Sequence, residues 1–522
     1  MQPGNLGLCG KCRRSVPADY VITDNKVWLR KECPSCGQTE TLVSADAATW
    51  QRKRTIWGYD ESASINCGLN CKQCARDHSP SIVFVDVTNH CNMNCPICIV
   101  NVGGMGFEFH PPLAYFEKVF KHLRTFNPVP MVELFGGEPT MRSDILDIIK
   151  LGREYGLRPR VVTNGLRLAD ETYCRQLCEE GVRFRLAFDG RDASIYDRLR
   201  KNPHVYDKKL KALDNLSTHS RRKNAILCCA AKGINEDKMA DLIACCHEYR
   251  HVIDELGLIP LAEMWEPGKF EQGHATTPED VEHMLERSVP GGNVEFVPAG
   301  IANVLRRARS FLKDKARSRT LMLGGVHPNC ESMTVLVSTG TEYRSANEYL
   351  RIPMSRLATE ILRRGRKIEP KLTRLDPGKR LDRWRAKLLL LWTFGPLAAR
   401  AVDVMRVVRG RPMRTWLRIV GGLLRGQRLR TLVNEHAEPP RFLRIAILPF
   451  EELHAIDSAR LENCKAAFAY EDTKDGQIKL IPTCIWTHFR DELLGKVSDK
   501  YGVARPTEKS ATEKKSTEKA TV

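Results

Sequence analysis

A chain of 522 residues that is 42% hydrophobic and 28% charged sits near globular averages, which excludes a wholly disordered chain and a multispanning membrane protein. At roughly one domain per 150 residues, three or four domains are expected. The balance of 82 basic against 63 acidic side chains gives +19, and 20 Lys/Arg against 4 Asp/Glu between Ile361 and Arg430 put +16 of it in one segment.

The first residues, MQPGNLGLCGKCRR, contain no apolar stretch of the kind that directs secretion, so a cytoplasmic protein is expected. There are 19 cysteines, ten of them within the first 98 residues. The cytosol keeps thiols reduced, so clustered cysteines read as metal ligands rather than disulfides. Residues 1–60 carry Cys9-Gly-Lys-Cys12 and Cys33-Pro-Ser-Cys36. Two CxxC knuckles on a pair of short hairpins bring four thiolates to one tetrahedral ion. The set resembles both rubredoxin-like and zinc-ribbon knuckles, and S4 ligation suits iron and zinc alike.

Residues 61–80 hold Cys67, Cys71 and Cys74 in a stretch with little apolar periodicity. From 81 to 300 an α/β rhythm follows. SIVFVDVT (81–88), MVELF (131–135), RPRVVTN (158–164), VRFRLAF (182–188), NAILCCAA (224–231) and HVIDELGLI (251–259) read as strands. Stretches such as SDILDIIKLGREYG and NEDKMADLIACCHEYR read as helices between them. This alternation predicts parallel βα units in a partial (β/α)6 barrel, with chemistry at the carboxyl ends of its strands. Residues 301–375 form a connector containing His327-Pro-Asn-Cys330, and 376–440 are basic helices. Residues 441–490 read as a small α+β unit with Cys464 and Cys484 within a C-terminal auxiliary cluster region of 441–500, and the Thr-Glu-Lys tail of 501–522 as disordered.

Directly after the first barrel strand comes Cys91-Asn-Met-Asn-Cys95-Pro-Ile-Cys98. Three thiolates at that spacing hold three corners of a [4Fe–4S] cube and leave the fourth iron open. The second strand ends in Gly136-Gly137-Glu138-Pro139-Thr140. Its glycines permit close backbone approach to a ligand, and Glu138 offers an acceptor to an ammonium group. Over residues 81–260 these motifs resemble the radical S-adenosylmethionine (SAM) superfamily. The resemblance implies that Cys91, Cys95 and Cys98 bind the cluster and that the open iron chelates SAM. It also implies that Gly136, Gly137, Glu138 and Pro139 hold the SAM amino group, with Asn164 and Asp189 lining the site. Ile97 stands where the superfamily has an aromatic residue and is expected to keep an apolar contact to adenine. A structural zinc site beside an unrelated Gly-Gly turn is the competing reading, and motif order and strand context argue against it.

Cys67, Cys71 and Cys74 repeat the spacing, but no strand precedes them and no GGEP loop follows, so they are expected to hold an auxiliary cluster. Cys330, Cys464, Cys484 and a non-cysteine group are candidates for the remaining ligands of one auxiliary [4Fe–4S] cluster or two. Cys174, Cys178, Cys228, Cys229, Cys245 and Cys246 read as core packing.

Within the basic segment, the twelve-residue run LLLLWTFGPLAA is too short for a bilayer that needs about 20 residues, and Pro396 is expected to interrupt a helix. Arg411, Arg414, Arg418, Arg425 and Arg428 share one helical face, with Met413, Trp416, Leu417, Val420, Leu423 and Leu424 largely opposite. That pattern describes a helix lying in an anionic membrane interface and so a peripheral membrane protein. The competing reading is a solvated arginine face, and the lack of an RNA-binding motif argues against nucleic acid.

The arrangement as a whole resembles, more loosely, the archaeal tetraether lipid synthases and methanopterin C-methyltransferases. The residues that carry this are the paired CxxC, the Cys67–Cys74 triplet, His327-Pro-Asn-Cys330 and Cys484 after Lys479-Leu-Ile-Pro-Thr. The resemblance implies electrons from a flavodoxin or ferredoxin, reductive SAM cleavage to a 5′-deoxyadenosyl radical, and hydrogen abstraction from an unactivated carbon. A lipid chain undergoing C–C coupling or methyl transfer is the leading substrate. Peptide maturation and heterocycle C-methylation are alternatives, and a non-enzymatic iron–sulfur electron carrier is disfavoured by the GGEPT loop.

Overall fold

The computed structural model describes residues 4–74, 79–100, 104–265, 268–304, 306–312, 325–403, 406, 412–427, 432 and 441–502. Arg411, Arg428, the side chains of Met413, Trp416 and Leu423, and the Thr-Glu-Lys tail lie outside the described residues.

The N-terminal unit is an antiparallel sheet in the order β1 (Leu6–Leu8), β2 (Ser15–Thr23), β3 (Lys26–Cys33) and β4 (Gly37–Ser44). Alternation along β3 buries Val27, Leu29, Lys31 and Cys33 on one face, as a two-residue period requires. The turn after β1 and the turn after β3 each present one CxxC pair. Helix α1 (Ala47–Trp57) follows, capped by the Asp46 carboxylate, which accepts from the Ala48 and Thr49 amides.

Six strands then pair parallel, each with the next in the chain: β5 (Ile82–Thr88), β6 (Met131–Gly136), β7 (Arg160–Thr163), β8 (Phe184–Ala187), β9 (Asn224–Ala230) and β10 (Ile253–Pro260). Helices α2 (Leu113–Leu123), α3 (Ile145–Glu154), α4 (Glu171–Glu179), α5 (Ala193–Arg200), α6 (Val205–His219) and α7 (Met239–Glu248) connect them, and α8 (Pro278–Ser288) follows β10. Tyr115, Phe116, Val119, Phe120 and Leu123 of α2 recur at helical spacing and are all buried. This is the partial (β/α)6 barrel expected from the sequence. Lys53 of α1 is buried in ion pairs with Glu279 and Glu282 of α8 at 2.5 and 2.9 Å, which fastens the N-terminal unit to the barrel.

The segment after 441 departs from expectation. It is not a separate α+β unit, because its strands extend the barrel sheet at both edges. After β11 (Val297–Pro298), β12 (Ser332–Ser338) and β13 (Tyr343–Ser345), β14 (Phe442–Ile447) inserts between β10, to which it runs parallel, and β12, to which it runs antiparallel. β15 (Ala466–Glu471) pairs parallel with β5 at the other edge and antiparallel with β16 (Ile478–Pro482). An open six-stranded barrel leaves two edges of unpaired N–H and C=O groups, and these late strands cover them. The helix Thr483–Tyr501 locks the β5 edge: Trp486 Nε1 and Arg490 Nη2 donate to the buried Asp86 carboxylate at 3.0 and 2.9 Å.

Beyond the barrel, α9 (Ile301–Val304), α10 (Arg306–Leu312), α11 (Met354–Thr373) and α12 (Arg380–Ala401) form a helical layer. Here too one expectation fails: α12 continues through Pro396. Leu390 on one side of the proline and Leu397 and Ala401 on the other are buried, so packing holds both halves of the helix in line. The ring itself is exposed, so the hydrogen-bond donor that a proline lacks is missing at the surface rather than in the core.

Candidate active site at the strand ends

The motifs singled out in the sequence meet where β5 to β8 end. The loop after β5 carries Cys91, Cys95 and Cys98, and the loop after β6 carries Gly136 to Thr140. The two loops are stitched backbone to backbone: Gly137 N–H donates to Thr88 O at 2.6 Å and Glu138 N–H to His90 O at 2.7 Å. A Cβ on Gly136 would sit 2.3 Å from Thr88 O, and one on Gly137 the same distance from His90 O. The close approach that these glycines permit is therefore to the cysteine loop itself.

Glu138 is buried, and its carboxylate ties together the ends of β6 and β7. Oε1 accepts from Thr140 N (3.1 Å), Thr140 Oγ1 (2.6 Å) and Thr163 Oγ1 (2.7 Å), and Oε2 accepts from Asn164 N (2.6 Å). Pro139 begins the short turn that Glu138 caps. The Asn164 amide donates to Asn92 Oδ1 at 2.7 Å and reaches Cys91 Sγ at 3.9 Å, so β7 also grips the cysteine loop.

Asp189 has a fully buried side chain. Arg200 binds both its oxygens at 2.9 and 3.0 Å, and the Cys229 amide donates to Oδ1 at 3.0 Å. Burial opposes the charge, but Arg200 and then Lys209 overcome it and hold the Asp189 carboxyl below the usual range. Lys209 is buried and donates to the Asn164 and Ala187 carbonyls at 2.8 and 2.7 Å; burial pushes its ammonium down to about 8. The Cys95 thiol is pushed up by burial and pulled back by Arg200 and Lys209. Two cations, the half-buried Arg200 and the buried Lys209, therefore act on one cysteine of the triplet. This suits a cluster whose thiolate ligands and added electron leave it negative. Ile97 packs with Ile195, Leu199 and Trp265 in an apolar cluster beside the site.

Sequence motifs did not reveal Thr163, Arg200 or Lys209. For Lys209 a signal was present: with Val205, Ala212, Leu213 and Leu216 it occupies the apolar stripe of α6, where a lysine needs a reason.

Residues 85–246 match the model of the radical SAM superfamily. This chain carries a radical SAM domain. Residues 6–45 match the HMPTM N-terminal zinc ribbon domain. Among known proteins, the chain is 28% identical over 272 residues to a 7,8-dihydro-6-hydroxymethylpterin dimethyltransferase of Methanocaldococcus jannaschii, covering 50% of this chain and 54% of that protein. It is 30% identical over 145 residues to an Fe-coproporphyrin III synthase of Methanosarcina barkeri, 27% of this chain and 35% of that one. It is 28% identical over 134 residues to a PqqA peptide cyclase of Bradyrhizobium diazoefficiens, 25% of this chain and 34% of that one. The chain thus spans about half the length of the first relative and about a third of the other two.

In the zinc ribbon, the sulfurs of Cys9, Cys12, Cys33 and Cys36 all lie within 4.8 Å of one another. Four thiolates about 2.3 Å from one tetrahedral ion are about 3.8 Å apart, so this donor set fits a single metal ion. Backbone amides of Cys12 and Lys11 point at the Cys9 sulfur and lower its thiol to about 6. Among the described residues, this is the one group of three or more His, Cys, Asp or Glu drawn that close.

The remaining cysteines of the chain separate into two kinds. Cys174, Cys178, Cys228, Cys245 and Cys246 are buried in the core, and Cys229 is half-buried. Cys71 has Cys67, Cys74 and Cys464 near it, and their charges add to the burial that pushes its thiol up to about 12. Cys330 in turn neighbours Cys484 and Cys464. The triplet before the barrel and the three late cysteines therefore share one neighbourhood, with Cys464 common to both. Glu451 is buried at its edge, and its Oε2 has no hydrogen-bond partner.

Proposed function

We propose that the radical SAM domain removes a hydrogen atom from an unactivated carbon of a lipid hydrocarbon chain, which the enzyme then joins to a second chain or methylates. The observation that carries the hydrogen-abstraction step is the stitching of the Cys91–Cys98 loop to Glu138 and Asn164 at adjacent strand ends. When bound, a [4Fe–4S] cluster and SAM supply one-electron cleavage of SAM and a 5′-deoxyadenosyl radical. Cys91, Cys95 and Cys98 offer three thiolates, which leaves one iron for SAM. A carboxylate has about four acceptor positions, so Glu138 Oε2, taken by Asn164 N, keeps capacity for the SAM ammonium. Asp189 acts indirectly in this reading, by holding Arg200 beside Cys95.

Cys67, Cys71 and Cys74 with Cys330, Cys464 and Cys484 supply ligands for one or two auxiliary [4Fe–4S] clusters. A flavodoxin or ferredoxin supplies electrons. The lipid assignment rests on the +16 segment between Ile361 and Arg430 and on the apolar side chains exposed there, which fit an anionic membrane surface. A second reading, C-methylation of a pterin-like heterocycle, is favoured by the similarity to the pterin dimethyltransferase.

The test compares membranes from cells expressing the chain with those expressing a Cys91/Cys95/Cys98→Ala variant, after headgroup hydrolysis and mass spectrometry of the core chains. A species one methylene heavier, or twice the chain mass less two hydrogens, is expected with the wild type alone. Matching lipid profiles from a protein that still cleaves SAM would sink the lipid reading and turn attention to pterins.

A further inference from the structure

The run from Leu388 to Ala399 is apolar on every side. A helix made from it must be covered all round or leave apolar surface exposed. Among the described residues, α12 is covered on one side. Ala386 and Leu390 pack with Phe311 of α10 and with Ile368 and Leu372 of α11. At about 100° per residue, Leu381, Trp384, Leu388, Trp392 and Ala399 fall within about 60° of a line on the opposite side. There Leu381 is 59% exposed, Trp384 51% and Trp392 80%. Five of the nine exposed large hydrophobic side chains among the described residues lie between Leu381 and Leu424, so apolar exposure is concentrated in this layer.

The charge around this face selects its occupant. Arg380 and Arg385 are exposed along its flanks, Arg400 is exposed near the C-terminal end of the helix, and Asp382 is the single acidic residue of α12. The next helix, Pro412–Leu424, presents exposed Leu417 and Leu424 among exposed Arg414, Arg418 and Arg425. Apolar and basic side chains thus share one surface, where the sequence pattern had set them on opposite faces. A second copy of the chain would bring a like +16 charge against this surface and be repelled, whereas an anionic lipid surface is attracted. Tryptophan and arginine are also the side chains that settle at the boundary between headgroup and hydrocarbon. No helix among the described residues is long and apolar enough to cross a membrane.

We propose that the outward face of α12 lies in the headgroup boundary of a bilayer rich in anionic phospholipid. Leu381, Trp384, Leu388 and Trp392 enter the acyl region, and Arg380, Arg385 and Arg400 meet the phosphates. The inference deepens the lipid reading above, but its test needs neither SAM nor substrate.

The full chain is sedimented with vesicles of 70:30 phosphatidylcholine:phosphatidylglycerol and with pure phosphatidylcholine vesicles, beside a Trp384→Ala/Trp392→Ala variant and an Arg380→Gln/Arg385→Gln/Arg400→Gln variant. Each substituted side chain is exposed, and a thermal melt checks that both variants fold. Expected are a preference of about tenfold for the phosphatidylglycerol vesicles, a loss of about tenfold in the tryptophan variant, and loss of the headgroup preference in the arginine variant. Wild type that ignores both vesicles, or a tryptophan variant that binds as wild type does, overturns the proposal. So does a lipid-free dimer that the tryptophan substitutions dissociate, since the face would then be a contact between copies. Vesicle binding with unchanged cellular lipids keeps this surface and removes the lipid substrate; the reverse pair of results removes the surface alone.

Discussion

The zinc ribbon and the barrel mouth both gather cysteines, and they do it in opposite ways. In the ribbon, two hairpin turns of one small sheet bring four sulfurs within 4.8 Å, and the ligands, their spacing and the strands between them fall inside residues 6–45. At the barrel mouth, three cysteines on one loop are met by Glu138, Asn164, Asp189, Arg200 and Lys209, which come from the three loops after β6, β7 and β8 and from helices α5 and α6. Local chain geometry assembles the first site, and strand pairing across the barrel assembles the second. Damage to one should therefore leave the other standing.

The largest expected effect separates the two outright. A Cys91/Cys95/Cys98→Ala chain should fall to the uncatalysed background of SAM cleavage and lose the iron of that cluster, while its ribbon metal, measured by elemental analysis, stays at one ion per chain. Loss of both metals together would break the comparison. Cys9→Ala should do the converse. Structural zinc sites draw on apparent binding energies of about 10 kcal/mol, so the ribbon is expected to lose its metal and become sensitive to protease, while SAM cleavage by the barrel persists.

Glu138→Gln probes the barrel mouth more gently. The substitution turns one acceptor oxygen into an N–H2 group facing buried donors from Thr140, Thr163 or Asn164. A cost of about 1–3 kcal/mol in denaturant unfolding is expected, together with weaker SAM binding in equilibrium titration. A variant as stable as wild type would mean that the carboxylate does not knit β6 to β7.

The smallest effect lies at the joint between the two regions. His283 of α8 bonds Glu286 at 2.9 Å and the Asp46 cap of α1 at 3.0 Å. The Glu286 hydrogen bond, against the pull of burial and with help from Asp46, raises His283 from 6.5 to about 9. The folded-state value lies above the unfolded one, so this contribution is complete below pH 6.5 and disappears as pH rises through 9. The imidazole is 38% exposed, so the loss should stay below about 1 kcal/mol. A pH series of thermal melts should show a decline over that window in wild type that His283→Gln removes.

Much of the fold was legible because its signals are local. The six barrel strands were readable as apolar runs between amphipathic helices, and the CxxxCxxC and GGEP motifs lie in the loops that follow β5 and β6. The region holding Phe442–Ile447 and Ala466–Glu471 was readable as α+β but not as barrel edges, because a strand's sequence does not name its partner. The apolar positions of α12 were visible too, yet only its neighbours decide which side of the helix α10 and α11 cover.

From the sequence alone followed the four-cysteine donor set of the ribbon, together with the expectation that the barrel-loop cysteines with GGEP and a second triplet are ligands too, since ligand chemistry is written in residue type and short spacing. The tertiary structure alone decided that Gly136 and Gly137 admit the cysteine loop, that Asp189 holds Arg200, that Lys209 lies buried beneath the site, and that Trp392 faces outward. These depend on which surfaces meet across the sheet and the helical layer, and pairings at such long range leave almost no trace in the neighbouring residues of the chain.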